Sequence, residues 1–91
     1  MPEKVRCAHI LVKTQVEALA VIDRLNKGED FSKLAAEKSL DGTKRRGGDL
    51  GWFGRGTMVK TFEQTAFSLQ KGQVSQPVKS EFGWHVIKRL E

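Results

Sequence analysis

Two short, mostly apolar runs near the two ends of the chain set the pattern from which the fold is predicted. The first covers residues 4–13 and the second residues 84–90. Apolar runs of this length, bounded by polar and turn residues, are typical of β-strands. Each run contains one histidine, His9 in the first and His85 in the second, and the chain has no other histidine.

Three segments between these runs have the spacing of amphipathic helices. Before the first, Thr14 and Glu17 are predicted to form a capping box in which each covers the other's free amide, and Gly28 ends the helix. The second is predicted over residues 31–39, with Asp30 as its N-cap. The core-facing residues predicted for these first two helices are Ala18, Val21, Ile22, Leu25, Phe31, Leu34 and Ala35.

The third helix is predicted to open with a second capping box, from Thr61 to Gln64, and to close at Gly72. Residues 76–79 contain a proline, which an edge strand tolerates, so they are predicted to form a short edge strand. Another strand is predicted over residues 49–53. The core-facing residues predicted for the third helix are Phe62, Ala66 and Leu69.

Residues 40–56 hold six of the nine glycines of the chain. Such use of glycine indicates backbone that needs a positive φ or a close approach. The order of predicted elements is β-α-α-β-α-β-β. This order favours an α+β fold, with helices packed on a small, mainly antiparallel sheet. The length predicts a single domain over residues 1–91.

The two histidines are the most unusual feature of the predicted strands. A buried polar group without a partner costs about 1–3 kcal/mol, so each imidazole needs a hydrogen bond. If the first and last strands are neighbours, His9 and His85 can bond to each other. The alternative is two unrelated core histidines, each bonded to backbone, and the two residues alone leave both interpretations open.

The charge balance gives a weak indication of partners. The formal net charge is +5 and the isoelectric point is about 9.7. This slightly favours contact with nucleic acid, an anionic membrane or an acidic protein. The densest basic cluster, residues 44–46, is typical of a solvated loop. The chain has no predicted basic amphipathic helix, which argues against a membrane or nucleic-acid role.

The single cysteine, Cys7, excludes an internal disulfide and is predicted to be a small core residue. We find no signal-peptide pattern and no apolar run near 18 residues, so we expect a cytoplasmic protein.

Several kinds of chemistry find no support in the residues. The glycine-rich segment lacks the spacing of a phosphate-binding loop, and two histidines with one cysteine form no recognised metal-ligand cluster. No nucleophile motif is present. Asp41 and Asp49 could act as acid and base, although both also belong to ordinary turn pairs. Met58 and Phe62 could form a pocket at a helix start or could both be core.

Six short segments follow each other along the chain in a characteristic order and spacing: residues 7–12, 46–53, 58–63, 66–67, 72–78 and 82–87. In these segments the chain resembles the parvulins, a class of peptidyl-prolyl cis/trans isomerases, in their minimal single-domain form. The resemblance implies a four-stranded antiparallel sheet wrapped by three to four helices, in the order βαααβαββ. It also implies a catalytic network of His9, Asp41, Ser80 and His85. The substrate-binding residues that it implies are Leu50, Met58 and Phe62, which form a proline pocket, and Phe82 at the pocket rim.

The resemblance further implies isomerisation of Xaa-Pro bonds in unfolded or flexible polypeptide by a monomer that needs no cofactor or metal. The alternative is a peptide-binding module or chaperone whose isomerase activity is incidental. Two positions depart from the family pattern. Thr61 replaces the proline of many relatives, and the Lys13–Thr14 junction lacks the arginine-bearing loop of phosphate-directed parvulins. We therefore expect no requirement for a phosphorylated residue before the proline.

Overall fold

The computed structural model describes residues 3–91. They form a four-stranded sheet with three α-helices and one short 3-10 helix. In chain order the elements are β1 (Lys4–Val12), α1 (Gln15–Asn26), α2 (Phe31–Lys38), the 3-10 helix (Gly42–Arg46), β2 (Asp49–Gly54), α3 (Lys60–Ser68), β3 (Val78–Ser80) and β4 (Gly83–Arg89). The predicted α+β class and the predicted order of strands and α-helices are confirmed. No helix of residues 3–91 is long and apolar enough to cross a membrane.

The sheet has the strand order β2-β1-β4-β3, and all neighbouring strands are antiparallel. The two strands predicted at the ends of the chain, β1 and β4, therefore lie side by side in its centre. Because successive side chains of a strand point to opposite faces, the alternate residues of β1 serve two different layers.

Two hydrophobic clusters cover the two faces of the sheet. Helices α1 and α2 pack on one face, and the buried residues there are Ala8, Ile10, Val12, Ala18, Val21, Phe31, Leu34, Ala35 and Val86. Helix α3 packs on the other, with Val5, Cys7, Phe53, Phe62, Ala66, Leu69 and Ile87. The core positions predicted from helical spacing are confirmed, except that Ile22 and Leu25 are only partly buried at the edge of the first cluster.

The predicted start signals of α1 and α2 are confirmed with one correction. The Thr14 hydroxyl accepts the backbone N–H of Glu17 (3.1 Å), and the Asp30 carboxylate accepts that of Lys33 (3.1 Å). The Glu17 carboxylate does not cover the Thr14 amide as predicted, because it accepts the Thr14 hydroxyl instead (3.2 Å). Gly28, with φ +97°, follows the end of α1 as predicted.

The predicted boundaries of α3 were wrong at both ends. The helix begins at Lys60 after Val59, which makes no side-chain cap, so the capping box from Thr61 to Gln64 does not form. The Thr61 hydroxyl points to the Lys79 carbonyl of β3 (3.4 Å), a partner distant in sequence. At the other end the backbone becomes extended at Leu69, whose side chain is buried, so the helix stops before Gly72.

The glycine-rich segment contains the 3-10 helix and then turns sharply into β2. This helix takes the place of the third helix in the order implied by the resemblance, but the residue pattern did not predict it. At Gly48 the backbone has φ +82°, and a Cβ there would collide with the carbonyl oxygen of His9. The Gly48 carbonyl accepts the His9 N–H (3.0 Å), so this close approach fixes the backbone of β1 at His9. The edge strand β3 begins at Val78, just after Pro77, rather than at residue 76 as predicted.

Candidate active site

His9 and His85 meet because of the register between the two central strands. His9 lies opposite Ile87, and Leu11 lies opposite His85, so the histidines are diagonal neighbours on the same face. Their Nδ1 atoms are 2.9 Å apart, and the rings are nearly parallel, with centroids 5.1 Å apart. Each histidine is only 5% exposed. The two rings are hydrogen-bond partners, so the alternative of two unrelated core histidines was wrong.

The ring of Phe62, from α3, covers both imidazoles. It is perpendicular to His9 at a centroid distance of 5.6 Å and to His85 at 5.3 Å. Perpendicular aromatic pairs at such distances are favourable because the edge of one ring meets the face of the other. Phe62 thus excludes water from one side of the pair.

The histidine pair continues at both ends into a chain of polar contacts. The Nε2 atom of His85 is 2.6 Å from the Ser80 hydroxyl, which also accepts the Phe82 N–H (3.1 Å). The Nε2 atom of His9 is 3.3 Å from a carboxylate oxygen of Asp41. The direction of this contact lies outside hydrogen-bond geometry, so the buried Nε2 lacks a hydrogen-bond partner among residues 3–91.

These contacts select one arrangement of protons. A carboxylate favours an N–H rather than a lone pair on the nearest nitrogen, which places a proton on His9 Nε2. His9 Nδ1 then accepts from His85 Nδ1–H. His85 Nε2 in turn accepts from the Ser80 hydroxyl. We infer a one-directional chain from Ser80 through His85 and His9 toward Asp41.

Asp41 is held by two residues that the sequence analysis did not identify. The Ser39 hydroxyl accepts the N–H of Leu11 (3.1 Å) and that of Asp41 (3.3 Å), which ties Asp41 to β1. The carboxylate of Asp41 accepts the backbone N–H (2.9 Å) and the hydroxyl of Thr43. An Asp followed two residues later by Thr is a local turn signal, which could have identified Thr43. Ser39 accepts the N–H of Asp41 in a similar local turn, but its bond to Leu11 has no local signal because that partner lies in a distant strand.

Burial and neighbouring groups shift the pKa values of all three ionisable groups. Burial lowers the pKa of His85 to about 4, with a smaller contribution from His9. Burial also lowers the pKa of His9, although Asp41 opposes this shift. At Asp41 burial acts to raise the pKa, but the two bonds from Thr43 and the contact with His9 outweigh it and lower the pKa to about 2. At neutral pH the histidines are therefore neutral and Asp41 is ionised.

A pocket of about 320 Å³ opens above the histidine pair. Leu50, Met58 and Phe62, the residues implied for a proline pocket, all line it, and Phe82 stands at its rim with 66% of its surface exposed. Ser80 lies behind His85 and is not part of the lining. The remaining lining residues are His9, Leu11, Asp41, Thr57, Val59 and His85. Of these, Leu11, Thr57 and Val59 were not identified from the sequence.

Asp49 and Cys7 both lie outside the pocket. The Asp49 carboxylate bonds the Arg6 guanidinium and the Gly51 N–H (2.8 Å), so it joins β2 to β1 instead of acting as an acid or base. Arg6 lowers the pKa of Asp49. Cys7 is buried, and burial raises the pKa of its thiol to about 11, as suits the predicted core residue. Among residues 3–91, no three His, Cys, Asp or Glu side chains are grouped to hold a metal ion.

Comparison with known proteins assigns this arrangement to a family. The rotamase domain of the PPIC-type peptidyl-prolyl cis/trans isomerases (PPIases) matches residues 9–91. The chain belongs to this family, the parvulins. The predicted resemblance is confirmed over all the elements that build the pocket.

Relatives of this PPIC-type domain occur as separate domains and within longer proteins. The solved structure of the parvulin NmPin of Nitrosopumilus maritimus is 53% identical, with a TM-score of 0.90, and covers 100% of this chain and 99% of that one. The structure of CsPin from Cenarcheaum symbiosum is 64% identical, with a TM-score of 0.88, and covers 100% and 95%. Both confirm the predicted parvulin-like fold.

The foldase protein PrsA of Geobacillus kaustophilus is 57% identical over 86 residues. The match covers 93% of this chain but 31% of that protein, so the chain spans about a third of the length of such curated relatives.

Proposed function

We propose that this domain catalyses cis/trans isomerisation of Xaa-Pro bonds in unfolded or flexible polypeptide, and does so without a phosphorylated residue before the proline. The observation that carries the proposal is the apolar pocket between Leu50, Met58 and Phe62, placed directly on the His9–His85 pair. Its family membership and the name foldase given to relatives agree with a role in assisting protein folding.

The reaction needs no covalent chemistry. Resonance in the peptide bond sets a rotation barrier of about 18–20 kcal/mol, and uncatalysed Xaa-Pro exchange takes tens to hundreds of seconds. In the twisted transition state resonance is lost, so the carbonyl oxygen loses negative charge and the nitrogen becomes more basic. An acceleration of about a thousandfold requires about 4 kcal/mol of preferential binding to the twisted form.

The apolar pocket supplies two parts of this preference. Leu50, Met58 and Phe62 hold the proline ring, which fixes one side of the rotating bond. Their apolar surfaces also remove water from the imide, and water stabilises the planar, charge-separated form more than the twisted one. The part of the substrate peptide that precedes the proline then rotates about the Xaa-Pro bond.

Asp41 and the histidines supply the electrostatic part. The carboxylate of Asp41 is ionised at neutral pH and lies at the pocket wall. Near the carbonyl oxygen, this negative charge disfavours the planar form, whose oxygen is more negative, and so favours the twisted form. The neutral histidines form the floor and keep its shape through their mutual hydrogen bond. They act as a positioning network, not as a general acid and base.

The absence of a phosphate requirement is supported by the charges at the pocket. Within residues 3–91, Asp41 is the only charged side chain in the pocket lining. It would repel a phosphate, and no lysine or arginine there would bind one. Lys13 is followed within two residues by the first residue of α1, which leaves no room for a basic loop.

The test is a kinetic one. Exchange rates are measured by NMR on matched Xaa-Pro peptides, with serine, phosphoserine, glutamate, leucine and lysine before the proline. We expect catalysis of the unphosphorylated peptides. Catalysis confined to phosphoserine peptides would overturn the specificity. Binding without accelerated exchange on any peptide would instead support the alternative, a peptide-binding module.

Three further predictions accompany this function. A cytoplasmic location is checked by cell fractionation, and a monomeric state by sedimentation. Weak contact of the basic surface with nucleic acid or an anionic membrane is checked by binding to DNA and anionic vesicles at low and high salt. Binding through phosphates falls steeply as the salt concentration rises, so binding that does not change with salt would contradict this prediction.

A further inference from the structure

One wall of the pocket is carried by a segment without regular structure. Residues 55–59 connect the end of β2 to the start of α3, and three of them, Thr57, Met58 and Val59, line the pocket. Irregular segments move more readily than strands or helices, whereas a binding wall needs a fixed position. The segment therefore needs an anchor outside its own backbone.

The carboxylate of Glu63 contacts both residues that precede this wall. Its Oε1 atom accepts the backbone N–H of Gly56, and its Oε2 atom lies 3.5 Å from the Arg55 guanidinium. The Glu63 side chain is only 15% exposed, which reduces the screening of these contacts by water. The Arg55 guanidinium in turn lies 4.2 Å from the centre of the Phe67 ring. Phe67 belongs to α3, the same helix as Glu63.

The position of Glu63 in α3 explains why this anchor is effective. Glu63 lies in the first turn, where a negative charge is favoured by the helix dipole. It directly follows Phe62, whose ring forms the opposite part of the pocket over the histidines. One turn of one helix thus fixes the Phe62 ring directly and the Met58 segment through Glu63.

We propose that Glu63 is a positioning residue for the proline pocket, which holds Met58 and Thr57 at the correct distance from Phe62. The inference rests on the proposed isomerase function. Without the Glu63 carboxylate, the Gly56 N–H loses its partner and the segment samples other positions. Substrate and transition state both lose contact with Met58, so the Michaelis constant rises more than the turnover number falls.

The test compares Glu63→Ala, Glu63→Gln and Arg55→Ala with the unmodified domain. We expect kcat/KM of Glu63→Ala to fall about tenfold, mostly through KM. Glu63→Gln keeps an oxygen acceptor for Gly56 and should recover most of this loss, and Arg55→Ala should have a smaller effect than Glu63→Ala. Glu17→Ala is the matched control, because Glu17 also lies in the first turn of a helix but far from the pocket, and it should leave kcat/KM unchanged.

A second readout does not depend on catalysis. In Glu63→Ala, hydrogen exchange of the Gly56 amide should accelerate, and the NMR signal of the Met58 methyl group should shift, at a temperature where the variant is fully folded. Unchanged Gly56 exchange and unchanged KM in the folded variant would overturn the inference. If the unmodified domain accelerates no peptide, the proposed function fails, whereas Gly56 exchange still tests the anchor.

Discussion

The two faces of the sheet are built from alternate residues of the same strands, yet they are covered in different ways. On one face, α1 and α2 close over Ile10 and Val86 and bury a hydrophobic core. On the other, α3 alone provides the helical cover, and beside it the sheet carries the histidine pair and the open pocket. The same strand, β1, supplies Ile10 to the closed face and His9 to the open one.

The difference indicates how the domain combines stability with a binding site. A small domain has a limited core, and a polar pair on a sheet face costs stability unless its hydrogen bonds are made. The closed face provides extensive apolar packing. The open face can then hold two neutral imidazoles, an ionised Asp41 and an unfilled pocket. Substitutions on the closed face should therefore affect mainly stability, whereas substitutions at the pocket should affect mainly catalysis.

The largest effect on stability is expected on the closed face. Leu34 of α2 is 1% exposed, and Leu34→Ala should lower the free energy of unfolding by about 2–5 kcal/mol, the range for large-to-small core changes. Catalysis per folded molecule should not change. Urea denaturation and exchange kinetics measure the two quantities, with exposed Leu19→Ala as the control. A lower kcat/KM in folded Leu34→Ala would show that the closed face also shapes the pocket.

A pH effect from histidine is expected only on the open face, because both histidines lie there. The pKa of His85 is about 4 in the folded state and about 6.5 in the unfolded chain. The folded state therefore binds a proton less readily, and its stability should fall as the pH decreases from about 6.5 toward 4. The full loss for one such group is about 3 kcal/mol, with constant stability from this group above pH 6.5.

His85→Gln separates this effect from the titration of carboxylates. The variant cannot bind the proton, so its free energy of unfolding should change less between pH 6.5 and 4 than that of the unmodified domain. Urea denaturation at several pH values measures both curves. Parallel curves for the two proteins would contradict the assignment to His85.

A change at the pocket wall should separate activity from stability. Met58 is only partly buried, so Met58→Ala should cost less than about 1 kcal/mol of stability. The loss of contacts between Met58 and the proline ring of the substrate should nevertheless lower kcat/KM about tenfold. Val16→Ala, an exposed apolar residue of α1, is the control for loss of an apolar side chain elsewhere. A large loss of stability in Met58→Ala would place Met58 in the core instead of the binding surface.

The smallest effect is expected for a change at Thr43, which hydrogen-bonds the Asp41 carboxylate. Thr43→Val removes the hydroxyl bond to Asp41 but keeps the backbone N–H bond, so the pKa of Asp41 should rise from about 2 toward its ordinary value. The remaining backbone bond compensates for part of the lost hydroxyl bond, and the carboxylate is partly exposed to water, so the shift should be small. An NMR titration of the Asp41 carboxyl measures the shift. Thr65→Val, which removes an exposed hydroxyl bond on α3, should leave this pKa unchanged.

The sequence by itself determined the order of the strands and α-helices and most of the buried helix positions, because these depend on local periodicity and on caps such as Asp30. It also placed both histidines in strands. It could not decide whether they touch, since the residues alone do not give the register of β1 on β4. The roles expected for Asp41, Ser80 and Phe82 came from the resemblance to parvulins, not from periodicity.

Tertiary structure alone decided the contacts between residues distant in the chain. Thr61 is a plausible cap by local pattern, yet its hydroxyl lies near the Lys79 carbonyl of β3. Ser39 positions Asp41 by bonding β1, and Glu63 reaches back to Gly56. The physical reason is the same in each case. A polar side chain bonds the nearest partner in space, and only the packed sheet and helices determine which partner that is.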